Sequence, residues 1–380
     1  MSPRRIALFT GNYVNLVDGV ALTLNRLVAY LESQGHEVVV FGPDGFPRAL
    51  QPNGEFFGLP AISAPLQPEY RLALRMTNEA KARLERLAPD LIHIATPDLV
   101  GLWAQRYGLA KGIAVVASFH SNIVAYLHYV PVVRYLQPAG WTYFRYFYGR
   151  CRHIYVPTQS MADELREHGI REGLKIWARG IDLQRFSPSK RSADFRARHS
   201  IADDEVLILF VARLRWEKGL DLLAKAFQRL KSCGIKHRTM IVGEGVGYEP
   251  LRQRLPDTIF CGRLEGEELA RAYASADLFF FPSAVETFGN VILEAMASGL
   301  ASVCADAPGS KTVAIDRQSA LLAQRDNVDD FVAKTLELLQ NVDLRKQLAQ
   351  AALVRAQEFS WDRANQQLTE HYEIAIAGDK

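Results

Sequence analysis

Glu286-Thr287-Phe288-Gly289-Asn290-Val291-Ile292-Leu293-Glu294 places two carboxylates eight positions apart with a glycine between them. The apolar run Leu278-Phe279-Phe280-Phe281 precedes it and breaks at Pro282-Ser283, which reads as a strand and its exit. Val291 to Ser298 reads as a helix closed by Gly299. Glu286 is therefore expected in the loop at the C-terminal end of a strand, and Glu294 inside the helix that follows. The amides that open this helix, at Phe288, Gly289 and Asn290, suit a phosphate. Glu294, more than a turn further in, suits sugar hydroxyls. From spacing alone, a loop glutamate and a solvated helix glutamate are the plainer reading of the pair.

Strand-like and helix-like segments alternate outward from this stretch in both directions, the pattern of parallel α/β sheets. Towards the N-terminus, Val206 to Ala212 is a nearly continuous apolar strand, and Leu220 to Leu230 a helix. Between them Arg213 and Lys218 flank one loop, so both can reach a single anion such as a departing diphosphate. Exposed basic residues are the plainer alternative. Thr239 to Val242 is a strand that ends in Gly243-Glu244-Gly245-Val246-Gly247, too short a glycine string to specify a dinucleotide turn. Thr258 to Cys261 is a strand followed by the loop Gly262-Arg263-Leu264. On the other side, Gly309-Ser310-Lys311-Thr312 lacks the spacing of a P-loop. The last helix runs from Ser360-Trp361-Asp362 to about Ala375.

The N-terminal half repeats the pattern. Arg5 to Thr10 reads as a strand, Thr10 to Gly19 as a polar loop, and Val20 to Gln34 as an amphipathic helix with Gly35 at its end. Gly19 at the helix start would let a diphosphate approach the backbone, or it is a simple turn glycine. Phe56 to Pro68 reads as a Pro-rich connection and Tyr70 to Leu87 as a helix. Ala114 to Phe119 is a strong strand, and His120 follows it directly, placed to bond a substrate hydroxyl or assist proton transfer. A lone histidine at such an edge is also an ordinary surface or core residue. The polar segment Arg191 to His199 marks the break between halves, giving domains at 1–188 and 189–360, with 361–380 completing the first.

The totals fit this division. A chain of 380 residues favours two domains, and no apolar stretch approaches a membrane span. Met1 to Arg5 leads into a strand, unlike a signal peptide. The scattered cysteines Cys151, Cys233, Cys261 and Cys304 suit a reducing compartment and argue against structural zinc. A net charge of +3 is too small to imply nucleic acid. Gly101 to Ser160 nevertheless contains no Asp or Glu, while Arg106, Lys111, Arg134, Arg145, Arg150 and Arg152 lie among Trp103, Tyr126, Tyr129, Tyr135, Trp141, Tyr143, Phe144, Tyr146, Phe147 and Tyr148. That mixture suits an anionic membrane surface, or a buried aromatic cluster with arginines reaching outward. There is no Asp-x-Asp triplet, the simplest carboxylate pair for a divalent cation on a sugar nucleotide.

In this order the motifs resemble the retaining glycosyltransferases of family four. The likeness spans essentially the whole chain and rests on Glu286 to Glu294 with Phe288-Gly289 inside, Arg213 with Lys218-Gly219, Val242-Gly243-Glu244-Gly245, and Arg179-Gly180-Ile181-Asp182 with Phe186. It implies the GT-B fold: two Rossmann-like parallel-sheet domains facing across a cleft. It also implies roles. Arg213 and Lys218 would hold the donor's phosphates, with Gly19 approaching from the first domain. Glu286 would contact the transferred sugar, Glu294 the ribose, and Phe288, Gly289 and Asn290 would offer amides. The Gly243 turn would sit at the donor, Arg263-Leu264 would border the base, and His120 would face sugar and acceptor.

Such enzymes retain anomeric configuration without metal or cofactor, the nucleotide sugar, UDP- or GDP-linked, being a substrate. This chain departs from the family at Asp18-Gly19, where Gly-Gly is common, and at Leu300-Ala301, where a proline is common. Trp177 to Asp182, and Phe119-His120-Ser121-Asn122 with Tyr126, look like the narrower group of sulfolipid synthases and lipid mannosyltransferases. With the acid-free tract, this implies a lipid-linked or glycolipid acceptor and a cytoplasmic enzyme peripheral to the inner face of the plasma membrane. A soluble or polysaccharide acceptor, a sugar-nucleotide epimerase of the same fold, and a non-catalytic nucleotide-sugar sensor remain as alternatives.

Overall fold

A computed structural model describes residues 2–45, 48–64, 70–120, 137–286 and 288–378. The chain divides into two compact units, Met1–Ala178 with Asp362–Lys380, and Arg179–Trp361.

The first unit is built on strands Arg5–Phe9 (β1), Glu37–Asp44 (β2), Glu55–Ser63 (β3), Arg71–Ala73 (β4), Leu91–Ile94 (β5), Ala114–Ser118 (β6), His153–Val156 (β7) and Leu174–Ile176 (β8). They form one sheet in the order β4-β3-β2-β1-β5-β6-β7-β8, with only the β3–β4 pair antiparallel. Side chains alternate between two buried faces, as in any sheet covered on both sides. Ile6 and Leu8 pack with Leu24, Leu27, Val28 and Leu31 of helix Gly19–Ser33 and with Leu368 and Tyr372 of the C-terminal helix. Ala7 and Phe9 pack on the other face with Leu84, Ala104, Phe144 and Phe147.

Polar contacts fix the C-terminal helix to this unit. His93 Nδ1 lies 2.5 Å from the Tyr372 hydroxyl, and Arg4 pairs with Glu373 at 2.5 Å. Burial pushes the His93 imidazole down to about 3, so it stays neutral.

Two sequence expectations are corrected here. Phe56 to Pro68 is not simply a connection, because Glu55–Ser63 forms β3 beside β2. Pro60 is tolerated because it sits opposite Asp44 at the end of β2, just before pairing with β4 begins at Ala61. Tyr70 to Leu87 is not one helix: Arg71–Ala73 is a strand, and the helix starts at Asn78, where the Thr77 hydroxyl caps it.

The second unit has strands Val206–Val211 (β9), His237–Val242 (β10), Ile259–Phe260 (β11), Leu278–Phe281 (β12), Ala301–Ala305 (β13) and Leu321–Ala323 (β14), all parallel, in the order β11-β10-β9-β12-β13-β14. The chain enters it at Arg179, earlier than the expected break at residue 188. The reason is packing. Ile181 N donates to the Phe359 carbonyl at 2.7 Å, and Phe186 is buried edge-on against Tyr273. The charged segment Arg191 to His199 is likewise not the break between the units. It contains helix Ala193–Arg198, whose Arg196 is 2% exposed and donates to the carbonyls of Ser275, Ala202 and Glu205. It also donates to Asp277, so the buried charge meets a carboxylate, while its Nε has no hydrogen-bond partner among the described residues.

Tyr372→Phe leaves a buried imidazole nitrogen unpaired and should destabilise the first unit by about 1–3 kcal/mol. Glu373→Ala, which opens a half-exposed ion pair, should cost less than about 1 kcal/mol. Urea unfolding of both variants checks the ordering, and equal losses would contradict it.

Candidate active site

The strand order of the second unit reverses between β9 and β12. Loops leaving these two strands diverge, which opens a crevice at the C-terminal sheet edge where α/β proteins bind ligands. The loop after β9 carries Arg213 and Lys218, and the loop after β12 carries Glu286. The two loops touch: a Cβ at Gly219 would stand 3.0 Å from the Pro282 carbonyl oxygen. Lys218 Nζ donates to Glu286 Oε1 at 2.5 Å, and Ser283 Oγ donates to the same oxygen at 3.3 Å. Arg213 is exposed, and among the described residues it makes no ion pair.

Gly243 fastens the neighbouring loops together. Its φ is 142°, and a Cβ there would fall 1.8 Å from the Ala212 carbonyl oxygen. Only glycine permits that approach. Its amide donates to the Gly262 carbonyl at 2.7 Å, and Leu214 N donates to the Glu244 carbonyl at 2.8 Å. The glycine turn therefore positions the Arg213 and Arg263 loops, and its own N–H is already engaged. Arg263 is exposed and paired with Glu265, while Leu264 is half-buried.

In the opening stretch, Glu286 lies in the loop, and the helix is Asn290–Ala297. Thr287 lies outside the described residues. Gly289 sits before the helix in the left-handed region, φ 73°, and no side chain caps it. Phe288 is buried and Asn290 exposed. The helix thus presents uncapped N–H groups, a partial positive charge, on the sheet edge that bears Lys218.

Glu294, half-buried, accepts from the Tyr273 hydroxyl at 2.8 Å. Burial pushes its carboxyl up to about 7, against the downward pull of that hydrogen bond and of the Arg185 charge.

The remaining expected residues belong to the first unit. Gly19 opens helix Gly19–Ser33, but Asp18 caps it. Asp18 Oδ1 accepts from Val20 N at 2.9 Å and Ala21 N at 2.7 Å, and Oδ2 accepts from Asn12 Nδ2 at 2.8 Å. The two amides beyond Gly19 are therefore occupied by the chain's own carboxylate. His120 follows β6, its ring edge-on to Trp177 at 5.8 Å. Ser121, Asn122, Tyr126, Tyr129, Arg134 and Tyr135 lie outside the described residues. Of the acid-free tract, Trp141, Phe144, Phe147 and Tyr148 are core residues, whereas Arg106, Lys111, Arg145, Tyr146 and Arg150 are exposed.

Buried rings with cations outside are what the aromatic-cluster reading of the tract expects. Three contributors were not legible in the sequence: Ser283, Tyr273 and the capping Asp18. Tyr273 gave no signal because its partner lies far along the chain, and Asp18 stood out only as a departure from Gly-Gly.

Two family models match: "Glycosyltransferase Family 4" over residues 17–185 and "Glycosyl transferases group 1" over residues 192–355. A GDP-mannose-dependent alpha-mannosyltransferase of Mycobacterium tuberculosis is 30% identical, covering 98% of this chain and 97% of its own. The chain is a family 4 glycosyltransferase. Sulfoquinovosyl transferase SQD2 of Arabidopsis thaliana is 29% identical over 98% of the glycosyltransferase and 74% of its own length. An alpha-monoglucosyldiacylglycerol synthase of Streptococcus pneumoniae is 26% identical over 78% and 69%. These relatives place the glycosyltransferase in the sulfolipid and lipid mannosyltransferase group. Its fold matches sucrose-phosphate synthase of Thermosynechococcus elongatus with a TM-score of 0.75 at 20% identity, covering 98% and 99% of the two chains. The GT-B class expected from the sequence is thus the class observed.

A carboxyl raised from its ordinary range to about 7 costs nothing while protonated in both folded and unfolded states. It destabilises the fold progressively as pH rises through that window. The melting temperature of Glu294→Gln relative to the unsubstituted enzyme should therefore increase from pH 5 to pH 8. A gap that stays constant or narrows would contradict the burial of this acid.

Proposed function

We propose that this glycosyltransferase moves a hexose-type sugar from a UDP- or GDP-linked donor to a lipid-linked or glycolipid acceptor, retaining the anomeric configuration and needing no metal. The observation that carries the reading is the Lys218–Glu286 contact at the β9/β12 crevice, beside the exposed Arg213 and the uncapped helix at Gly289. These groups pair one charge of each sign with two sources of positive potential. That is the demand of a sugar diphosphate: hydroxyls at one end, a dianion at the other.

In this mechanism Arg213, Lys218 and the amides from Phe288 to Asn290 bind the diphosphate and stabilise its negative charge as the bond from phosphate oxygen to the anomeric carbon breaks. Glu286 accepts from a sugar hydroxyl, and Glu294 from the ribose. The acceptor oxygen forms the new bond on the face the diphosphate leaves, and its proton passes to the departing phosphate oxygen. No carboxylate acts as nucleophile. His120, at the end of β6, is suited to bond a substrate hydroxyl or assist proton transfer. Leaving-group charge falls on protein cations, and the sequence lacks an Asp-x-Asp pair to hold a divalent ion in their place.

A lipid acceptor is supported by the similarity to an alpha-monoglucosyldiacylglycerol synthase. It is also supported by the exposed Arg106, Lys111, Arg145 and Arg150 on helices Leu99–Lys111 and Gln137–Tyr148, which suit an anionic leaflet. Among the described residues no helix is long and apolar enough to cross a membrane. The enzyme would work peripherally at the cytoplasmic face of the plasma membrane.

Lys218→Ala and Glu286→Ala should each lower kcat/KM by roughly tenfold or more without added metal. Unchanged turnover in both would defeat the site assignment, and conversion of donor without acceptor would favour an epimerase. Flotation with anionic liposomes should recover the enzyme at low salt and lose it at high salt, over a Debye length shrinking from about 10 Å at 0.1 M to about 3 Å at 1 M. No recovery at low salt would remove membrane docking.

A further inference from the structure

Glu294 has one side-chain hydrogen-bond partner among the described residues, and it comes from a neighbouring helix. Tyr273, on helix Gly266–Ser275, is fully buried and aims its hydroxyl at Glu294 Oε2, 2.8 Å away. Its ring is wedged between Phe186, 5.7 Å away and edge-on, and Phe279 of β12, 5.8 Å away. A phenol held on both sides has no alternative rotamer to offer, so the direction of its O–H is set by packing. Oε1 of Glu294 receives no hydrogen bond from the described residues. One oxygen of the carboxylate is thus tied to the protein and the other is left for a ligand.

From this division of the two oxygens we infer that Tyr273 is a positioning residue: it orients Glu294 so that Oε1 accepts from the ribose hydroxyls, and so sets the enzyme's preference for ribonucleotide over deoxyribonucleotide donors. The inference rests on the donor-binding reading given above.

The chemistry follows from the donor inventory. A phenol hydroxyl has one proton to give, and it goes to Oε2. Without it, a carboxylate in this half-buried place loses the hydrogen bond that favours its charged form, and its side chain regains rotational freedom. Both changes weaken an acceptor that must meet hydroxyls in one fixed geometry. A buried hydroxyl donating to a charged group is the stronger class of hydrogen bond, and its loss at a binding site corresponds to roughly a tenfold change in affinity. Phe186 belongs to the segment by which the chain enters the second unit, so the ring that aims Glu294 is itself held by that segment.

The test is Tyr273→Phe, which keeps the ring and its packing and removes only the hydroxyl. Calorimetry with UDP, GDP and their 2′-deoxy counterparts is run on the intact enzyme, Tyr273→Phe, Glu294→Gln and the double variant. For whichever ribonucleotide binds, Tyr273→Phe should weaken affinity about tenfold and flatten the preference over the deoxy form. Its melting temperature should fall by about as much as that of Tyr372→Phe, since each variant loses one buried hydrogen bond, and the fold should persist. In donor kinetics KM should rise about tenfold, with kcat changing less than about twofold. The double variant should bind no worse than Glu294→Gln alone, because the hydroxyl acts through the carboxylate.

If Glu294→Gln weakens binding and Tyr273→Phe leaves both affinity and deoxy preference intact, the inference is overturned and the donor reading stands. If Glu294→Gln itself binds like the unsubstituted enzyme, or neither nucleotide binds at all, the donor reading fails and the inference with it.

Discussion

The contact between Lys218 and Glu286 is the constraint on which the site depends. It joins two loops that leave adjacent parallel strands in opposite senses, β9 towards one side of the sheet and β12 towards the other. Neither residue is deeply buried, and an ion pair of this exposure contributes little to stability. Its importance lies in where it holds charge. The ammonium and the carboxylate sit at the sheet's C-terminal edge, near the uncapped start of helix Asn290–Ala297. A diphosphate approaching that edge meets an ammonium, an unpaired guanidinium and free N–H groups. A sugar meets a carboxylate.

Other features of the second unit serve to keep these loops in register. The Gly243 turn takes the Ala212 carbonyl against its backbone and spends its own amide on Gly262. Arg196, buried, ties the segment before β9 to the end of helix Gly266–Ser275 through its two terminal nitrogens. The same helix carries Tyr273. In the first unit, Asp18 fills the amides of the leading helix. Anion binding by the backbone is thus available at one leading helix and closed at the other.

Much of this was legible in the chain. Continuous apolar runs such as Val206 to Val211 and Leu278 to Phe281 announce strands buried on both faces, and the Glu286 loop and its helix fell where the proline, glycine and small residues placed them. What failed did so for local reasons. β3 contains Pro60, which argues against a strand until its neighbours are known. Arg191 to His199 reads as the break between halves because charge count does not show that Arg196 is buried among carbonyls. Tyr273 and Glu294 meet only through tertiary packing, so no spacing rule connects them. The aromatic tract was ambiguous because it holds two populations: the apolar rings went inward and the cations stayed out, as amphipathic helices require.

The most direct test of the account is a crystal structure of the enzyme with a nucleoside-diphosphate sugar bound. The diphosphate should lie within hydrogen-bonding distance of Arg213, Lys218 and the amides at Gly289 and Asn290, with Glu286 on a sugar hydroxyl and its hold on Lys218 loosened in favour of the phosphate. A diphosphate bound away from these residues, with the Lys218–Glu286 contact unaltered, would contradict the account.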